Sequence, residues 1–161
     1  SSDKIINTTV GYHISDEDRK KIVTTDGGGG DDVSYTPYKD TESILFTVLS
    51  NKFEDVYLVK NLDDNAFIKE NQIKLIFIPE IITQSSSSSA FTWPPTKFVI
   101  DLTVKAVNSS GDLVWEKQII KTGEAEYDEF KEDFSLSARR AAEQVFLELA
   151  KDIEQEVSLL N

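Results

Sequence analysis

Hydrophobic and polar residues alternate most regularly over residues 97–107. The apolar positions that share one face are Phe98, Ile100, Leu102, Val104 and Ala106. This period of two predicts a strand with one buried face. The sequence NSSGD at 108–112 is typical of a hairpin turn, and residues 113–126 then supply the returning strand. Because the returning strand is long, we expect it to bend near Gly123.

Further strands are predicted on both sides of a polar stretch in the first half of the chain. Residues 5–14 mix Thr, Val, Tyr and Ile, and residues 56–59 form a short apolar run. Residues 73–82 are apolar at both odd and even positions, which indicates a central strand that is buried on both faces. Residues 33–38 are expected to follow an extended path that ends at Pro37.

Helical spacing of apolar residues predicts two long helices. The first is capped by Asp40 or Thr41 and runs to about Phe53. Its apolar face contains Ile44, Leu45, Val48, Leu49 and Phe53. The second is capped at Ser135 or Ser137 and runs to about Leu159. Its buried stripe contains Ala138, Ala142, Val145, Leu149 and Ile153, widened by Phe146 and Ala150.

The order of these elements predicts an α+β fold. We expect an antiparallel or mixed sheet of about four to five strands, with two helices packed on one face. A chain of 161 residues fits one domain, residues 1–161. Within it we expect a mobile Gly-rich loop at 26–32 and a Ser-rich connection at 84–96. Ser15 is expected to cap a shorter helical turn over residues 15–21.

The charge of the chain limits its partners. A net charge of −12 and a pI of about 4.5 disfavour binding to nucleic acid and to anionic lipid headgroups. They favour a basic protein surface instead. The chain contains no cysteine, which excludes disulfides, thiolate chemistry and cysteine-ligated zinc within this sequence.

The candidate catalytic and metal-binding motifs do not form a complete site. His13 is the single histidine and has no nucleophile motif near it. Asn61, Asp63 and Asn65 resemble the start of a calcium loop, but Ala66 stands where glycine is needed and Gln72 where glutamate is needed. The acidic cluster at 124–129 is typical of a solvated face. We therefore predict a protein that is not an enzyme, with no catalytic, cofactor or metal residues; an enzyme with a carboxylate-based site is the alternative of another class.

A short aromatic and proline-rich segment is the main candidate for partner binding. Phe91, Trp93, Pro94 and Pro95 follow a run of five serines. A tryptophan before two prolines gives a stiff apolar projection, and tryptophan is enriched among interface hot spots. The alternative is that these aromatic side chains cover one end of the core.

Four segments together resemble a family of small proteobacterial outer-membrane and periplasmic lipoproteins, the YajG- and LpoB-like group. They are YTPYKD at 35–40 leading into residues 45–53, the polyserine at 85–89 with FTWPPT at 91–96, GEAEYDEF at 123–130, and residues 134–142. The element order is also similar to the N-terminal domain of TolB. The resemblance implies a signal peptide and a lipidated cysteine just before Ser1. The absence of Met fits either a matured chain or a trimmed one.

The resemblance implies a function in the cell envelope. We expect a periplasmic lipoprotein, anchored to the outer membrane, that acts as a structural or accessory subunit of a machine such as a secretion system. Its partners would be other envelope proteins, with membrane contact only through the N-terminal lipid anchor, and oligomeric assembly fits this role. The alternative is an assembly or activation factor for cell-wall or outer-membrane synthesis.

Overall fold

The computed structural model describes residues 6–26, 32–87, 96–126 and 136–157, and these form a mixed α+β fold. In this part of the chain, five strands form one sheet in the order β4-β1-β5-β6-β7, and two short strands form a separate ribbon. The strands are β1 (Ile6–Tyr12), β2 (Val23–Asp26), β3 (Asp32–Tyr35), β4 (Phe53–Leu58), β5 (Leu75–Ser87), β6 (Thr96–Asn108) and β7 (Leu113–Ala125). The helices are α1 (Asp16–Lys20), α2 (Pro37–Lys52), α3 (Asn65–Glu70) and α4 (Leu136–Glu156). The predicted fold class is confirmed.

The sheet is mixed because its two halves pair in different directions. β1 pairs in parallel with both β4 and β5, whereas β5, β6 and β7 are successively antiparallel. The predicted hairpin turn joins β6 to β7, where the side-chain oxygen of Asn108 accepts hydrogen bonds from the backbone of Ser110 and Asp112, both at 3.0 Å. Gly111 has a φ of +86°, a left-handed conformation that glycine adopts without steric cost.

β5 is the central strand of the sheet, as predicted, but burial of its outer face is limited to its first half, since Ile76 is 2 % exposed and Ile82 is 61 % exposed. Pro79 lies within it without breaking a ladder, because β1 pairs with β5 only as far as Phe77. Beyond that point none of the described strands pairs with the side of β5 away from β6, and the amide of Ile81 donates to the Tyr38 hydroxyl at 3.0 Å. The missing N–H of Pro79 faces the same side, so it removes no strand-to-strand hydrogen bond.

Both long helices pack on one face of the sheet, which we call the inner face. Leu45 and Leu49 of α2 join Val145, Leu149 and Ile153 of α4 in one core with the alternating apolar residues of β6. The predicted α4 stripe is confirmed at these three positions, all with 0 % exposure. Ala138 and Ala142 are only half-buried, and Ala141 occupies the fully buried position instead.

The start of α2 and the end of its apolar face differ from the prediction. The helix begins at Pro37, because a proline is well placed in a first turn and the carboxylate of Asp40 reaches back to the backbone and hydroxyl of Thr36. Ile44 is 37 % exposed, so it lies at the margin of the core. Phe53 is fully buried, but it opens β4, because the chain leaves the helix to pair with β1.

Gly123 has a different role from the predicted bend. The irregular register between β6 and β7 lies at Ala106 and Val107 instead. A side chain at Gly123 would overlap the carbonyl oxygen of Ser137 and the amide nitrogen of Ala141. Glycine at this position therefore lets the backbone of α4 contact the strand directly.

The polar connections also differ from the prediction. Gln84 and the first three serines extend β5 and pair with the start of β6. Both ends of the Ser-rich connection predicted for 84–96 are therefore strand residues. Its middle, residues 88–95, lies outside the described residues. The sequence analysis missed β2, which pairs with β3 on the two sides of the glycine run. Residues 27–31, the middle of the predicted mobile loop, are also outside the described residues.

Candidate interaction surface

The partner-binding candidates from the sequence lie outside the described residues. Phe91, Trp93, Pro94 and Pro95 all fall between Ser87 and Thr96, the last residue of β5 and the first residue of β6. Their role in partner binding therefore stays a prediction.

The far side of the sheet from α2 and α4 carries large apolar side chains in contact with solvent. Ile82 is 61 % exposed and Ile120 is 56 % exposed, and both stand directly across from Asp101 of β6. We call this surface the open sheet face. It comprises the outward residues Glu80, Ile82 and Gln84 of β5, Lys97, Val99, Asp101, Thr103 and Lys105 of β6, and Glu116, Gln118, Ile120, Thr122 and Glu124 of β7. A flat β surface with exposed isoleucines can pack against another protein.

Both lysines of the open sheet face are paired with carboxylates within the face. The Lys105 ammonium lies 3.0 Å from a carboxylate oxygen of Glu80, and the Lys97 ammonium lies 3.9 Å from Glu124. Asp101 accepts two hydrogen bonds from the Gln118 amide, at 3.0 and 3.2 Å. The face is thus organised around an acidic centre, Asp101, with an isoleucine on each side.

The other half of this outer side is covered by α3. Ile68 and Ile73 pack there with Ile76 of β5 in a small second core. Gln72, just after α3, has a φ of +55°, and the backbone amides of Gln72 and Ile73 donate to the carbonyls of Lys69 and Ile68. These two bonds form a Schellman motif, which ends the helix and turns the chain into β5.

The two edge strands of the sheet carry charges that oppose strand addition. β7 places Lys117 and Lys121 on the inner face at its free edge, and the Lys117 ammonium lies 3.0 Å from Glu156 of α4. β4, at the other edge, is short and exposes Glu54 and Asp55. Inward-pointing lysines and short charged edges are common protections against edge pairing. The open sheet face, rather than an edge, is therefore the better docking surface.

A separate apolar groove of about 360 Å³ lies between the N-terminal ends of α2 and α4. Ile44, Ile81, Phe98 and Ile100 contribute to its lining. Tyr35 also lines it, packing edge-on against Phe98 at 5.2 Å between ring centroids. Asp40 is the carboxylate among the described lining residues, and it is hydrogen-bonded to Thr36. The groove has the size of a small-molecule site but brings no pair of carboxylates together.

Among the described residues, the carboxylates with shifted pKa values are Glu42 and Asp152. Glu42 accepts two hydrogen bonds from the Arg19 guanidinium and one from the Tyr12 hydroxyl, all at 2.9 Å. The bond from Arg19 is the largest cause that lowers the pKa of Glu42. Burial, followed by the neighbouring Glu42 carboxylate, raises the pKa of Tyr12 to about 12. This network ties β1, α1 and α2 together.

Asp152 of α4 is a second unusual carboxylate. It is 6 % exposed, and one of its oxygens is buried without a hydrogen bond. Burial raises its pKa, against the attraction of Lys117. Neither Asp152 nor Glu42 lines the groove.

His13 binds the carbonyl oxygen of Val59 through Nδ1 at 2.8 Å, so this ring nitrogen donates and connects the ends of β1 and β4.

Comparison with known proteins identifies the fold. No protein-family model matches the chain, and no curated protein matches its sequence. A minor lipoprotein from Acinetobacter baumannii has a similar structure, with a TM-score of 0.53 and 11 % identity over 96 % of this chain and 93 % of that chain. The PelC dodecamer from Paraburkholderia phytofirmans gives a TM-score of 0.52 and 13 % identity over 96 % and 91 %.

A third similar structure is a homolog of neuraminyllactose-binding hemagglutinin from Helicobacter pylori. Its TM-score is 0.50 at 15 % identity, over 98 % of this chain and 88 % of that chain. These likenesses concern the fold alone: the chain shares its fold with these three proteins, one of which is a minor lipoprotein. Among the described residues, no helix has the length and hydrophobicity needed to cross a membrane.

Proposed function

We propose that this chain is a non-enzymatic accessory subunit of a cell-envelope assembly, and that it binds other proteins through the open sheet face. The observation that carries the proposal is the exposure of Ile82 and Ile120 on a sheet whose inner face packs against α2 and α4. The charged edges of the sheet support the proposal, because they oppose strand addition and leave the open sheet face as the favoured contact surface. The fold it shares with a minor lipoprotein and with a protein that forms a dodecamer is consistent with this role.

The proposed location is the periplasm, with an N-terminal acyl anchor in the outer membrane. The resemblance to envelope lipoproteins supports this location. Expression of the complete gene product in its native host, with an alkyne-labelled fatty acid, tests it. We expect label on the protein and recovery in the outer-membrane fraction. An unlabelled protein in the soluble fraction would contradict the anchor without affecting the surface.

Capture from detergent-solubilised envelopes tests the protein-binding function. The wild-type chain and two variants, Ile120→Lys and Leu147→Lys, are immobilised and the bound proteins are quantified by mass spectrometry. Leu147 is 75 % exposed on α4, away from the open sheet face, and so provides the matched control. We expect Ile120→Lys to lose proteins that the wild type and Leu147→Lys both retain. Equal recovery by all three would contradict the proposal.

The segment with Phe91, Trp93, Pro94 and Pro95 is proposed as a second contact with partners. We predict that Trp93→Ala lowers recovery of envelope proteins while the melting temperature changes little. If Trp93 instead belongs to the core, the variant loses roughly 3–5 kcal/mol of unfolding free energy. Thermal melts and captures of the same variant separate the two roles, and a large melting shift with intact recovery would contradict the contact.

A further inference from the structure

A second exposed surface, at the end of α1, complements the open sheet face in charge. Lys20 and Lys21 end the helix, and Ile22, which follows them, is 66 % exposed. The three acidic residues of α1 lie in its first turn, at the opposite end. We call residues 20–22 the basic knob. It presents one isoleucine beside two positive charges.

The basic knob adjoins α1, which lies on the helical side of the sheet. α1 packs on α2 and is held there by the contact of Arg19 with Glu42. α2 in turn covers the inner face of the sheet. The knob therefore belongs to the helical side, and the open sheet face belongs to the other side.

We propose that the open sheet face binds the basic knob of a second copy of this chain, head to tail. In this contact Ile22 packs between Ile82 and Ile120, and the lysines of the knob approach Asp101. The pairing places apolar side chains against apolar side chains and positively charged lysines near a negatively charged carboxylate. It rests on the proposed function of the open sheet face as a protein-binding surface and identifies the partner.

Charge favours this pairing over the symmetric alternative. Two open sheet faces packed on each other about their centres would bring Asp101 of one copy towards Asp101 of the other. The face has four carboxylates, Glu80, Asp101, Glu116 and Glu124, against two lysines, so the like charges would repel. Because the two complementary surfaces differ, each bound copy leaves one knob and one face for the next copy, and the contact is heterologous.

Single-cysteine cross-linking tests the pairing directly, because the chain contains no cysteine of its own. Ile22→Cys, Ile120→Cys and Leu147→Cys are purified separately with tags of different size and mixed in pairs under mild oxidation. We expect the mixture of Ile22→Cys with Ile120→Cys to form a mixed disulfide faster than any pair that includes Leu147→Cys. A homodimer of Ile120→Cys that forms fastest, or equal rates in all pairs, would overturn the proposal.

Charge reversal in sedimentation experiments gives an independent measurement. We expect Asp101→Lys, or Lys20→Glu with Lys21→Glu, to lower the association constant by at least about tenfold. The combination of all three reversals in one chain should restore association, while Lys60→Glu, at another exposed position, should have little effect. A wild-type chain that stays monomeric at all concentrations would contradict the pairing. If that monomer still captures envelope proteins through the open sheet face, the proposed function stands with a different partner.

Discussion

Glu42 joins three elements through its two carboxylate oxygens. It holds the Arg19 guanidinium of α1 and the Tyr12 hydroxyl of β1 while it is itself part of α2. The side chains of Arg19 and Glu42 are 28 % and 21 % exposed, so water screens this pair only in part. A paired carboxylate in such a position contributes more than an ordinary surface ion pair.

We predict that Glu42→Gln destabilises the fold by roughly 1–2 kcal/mol at neutral pH. The pKa of Glu42 is lower in the folded chain than its ordinary value of 4.5. Its contribution is therefore fully present above about pH 4.5 and is lost as the pH falls towards the lower folded pKa. Denaturation of both proteins as a function of pH should show a stability difference that shrinks below this pH.

Asp16→Asn is the control for this measurement. Asp16 also contacts Arg19, at 3.5 Å, but its side chain is 90 % exposed. Its removal should change stability little at any pH. A wild-type chain and a Glu42→Gln variant that lose stability in parallel from pH 7 to 3 would show that Glu42 does not carry the proposed linkage.

Some individual residues could be assigned from the sequence and others could not. The burial of Phe98, Ile100 and Leu102 follows from their alternation, because a single strand determines it. The contact of Tyr12, Arg19 and Glu42 depends on how three separate elements pack together. The residue pattern within any one element does not determine that packing. The exposure of Ile120 could not be read from the hairpin at 108–112, because the register shift between Ala106 and Val107 decides which residue of β7 stands across from Asp101.

At the scale of the elements, the contact of α4 with β7 depends on a residue without a side chain. Ser137 and Ala141 approach the strand backbone so closely at Gly123 that a methyl group has no space. From the sequence, the length of the returning strand predicts a bend near Gly123. The actual reason, the approach of a helix from the far end of the chain, is not visible in local spacing.

We predict that Gly123→Ala destabilises the fold by about 1–3 kcal/mol or more, because α4 must move off the strand. Chemical denaturation measures the loss. Gly111→Ala is the comparison, since nothing lies within 4 Å of its added methyl group and only its left-handed φ opposes the change. We expect Gly123→Ala to be the more damaging of the two, and the reverse order would contradict the close contact.

The end of α3 offers a substitution with the opposite sign. Gln72 occupies the left-handed position of the Schellman motif, where glycine is usual. Gln72→Gly should therefore stabilise the fold by up to about 1 kcal/mol, as relief of the left-handed strain exceeds the added freedom of the unfolded chain. A thermal melt that shows a lower melting temperature for this variant would contradict the assignment.

The elements themselves were predicted unevenly. Strongly periodic segments such as α4, β6 and β7 were recognised because a buried stripe or face leaves a clear pattern. The sequence predicts the start of α2 too late, because the residue before a proline favours extended backbone and Pro37 therefore indicates the end of a strand. The parallel pairing of β1 with β4 and β5 joins segments that are distant in sequence, and a pattern along one strand does not specify its neighbours.

At the scale of the whole molecule, the distribution of charge and apolar surface separates two sides. On the helical side α2 and α4 pack over the core, and on the sheet side Ile82 and Ile120 are exposed around Asp101. The chain has a net charge of −12, so contacts between copies require local complementarity of the kind that the basic knob and the open sheet face provide. The acidic composition alone indicates a basic partner surface, and we propose the open sheet face as the place where it binds.

Thiol labelling in cells of the native host tests the central claim most directly. Ile120→Cys and Leu147→Cys are each produced in the complete gene product and treated with a membrane-permeant maleimide, in cells and after purification at high dilution. Our account predicts that Cys at position 120 reacts slowly in cells and rapidly when purified, because a bound protein covers the open sheet face. Position 147 should react rapidly in both conditions. Equal rapid labelling of both positions in cells would show that the open sheet face is bare and would contradict its role as a protein-binding surface.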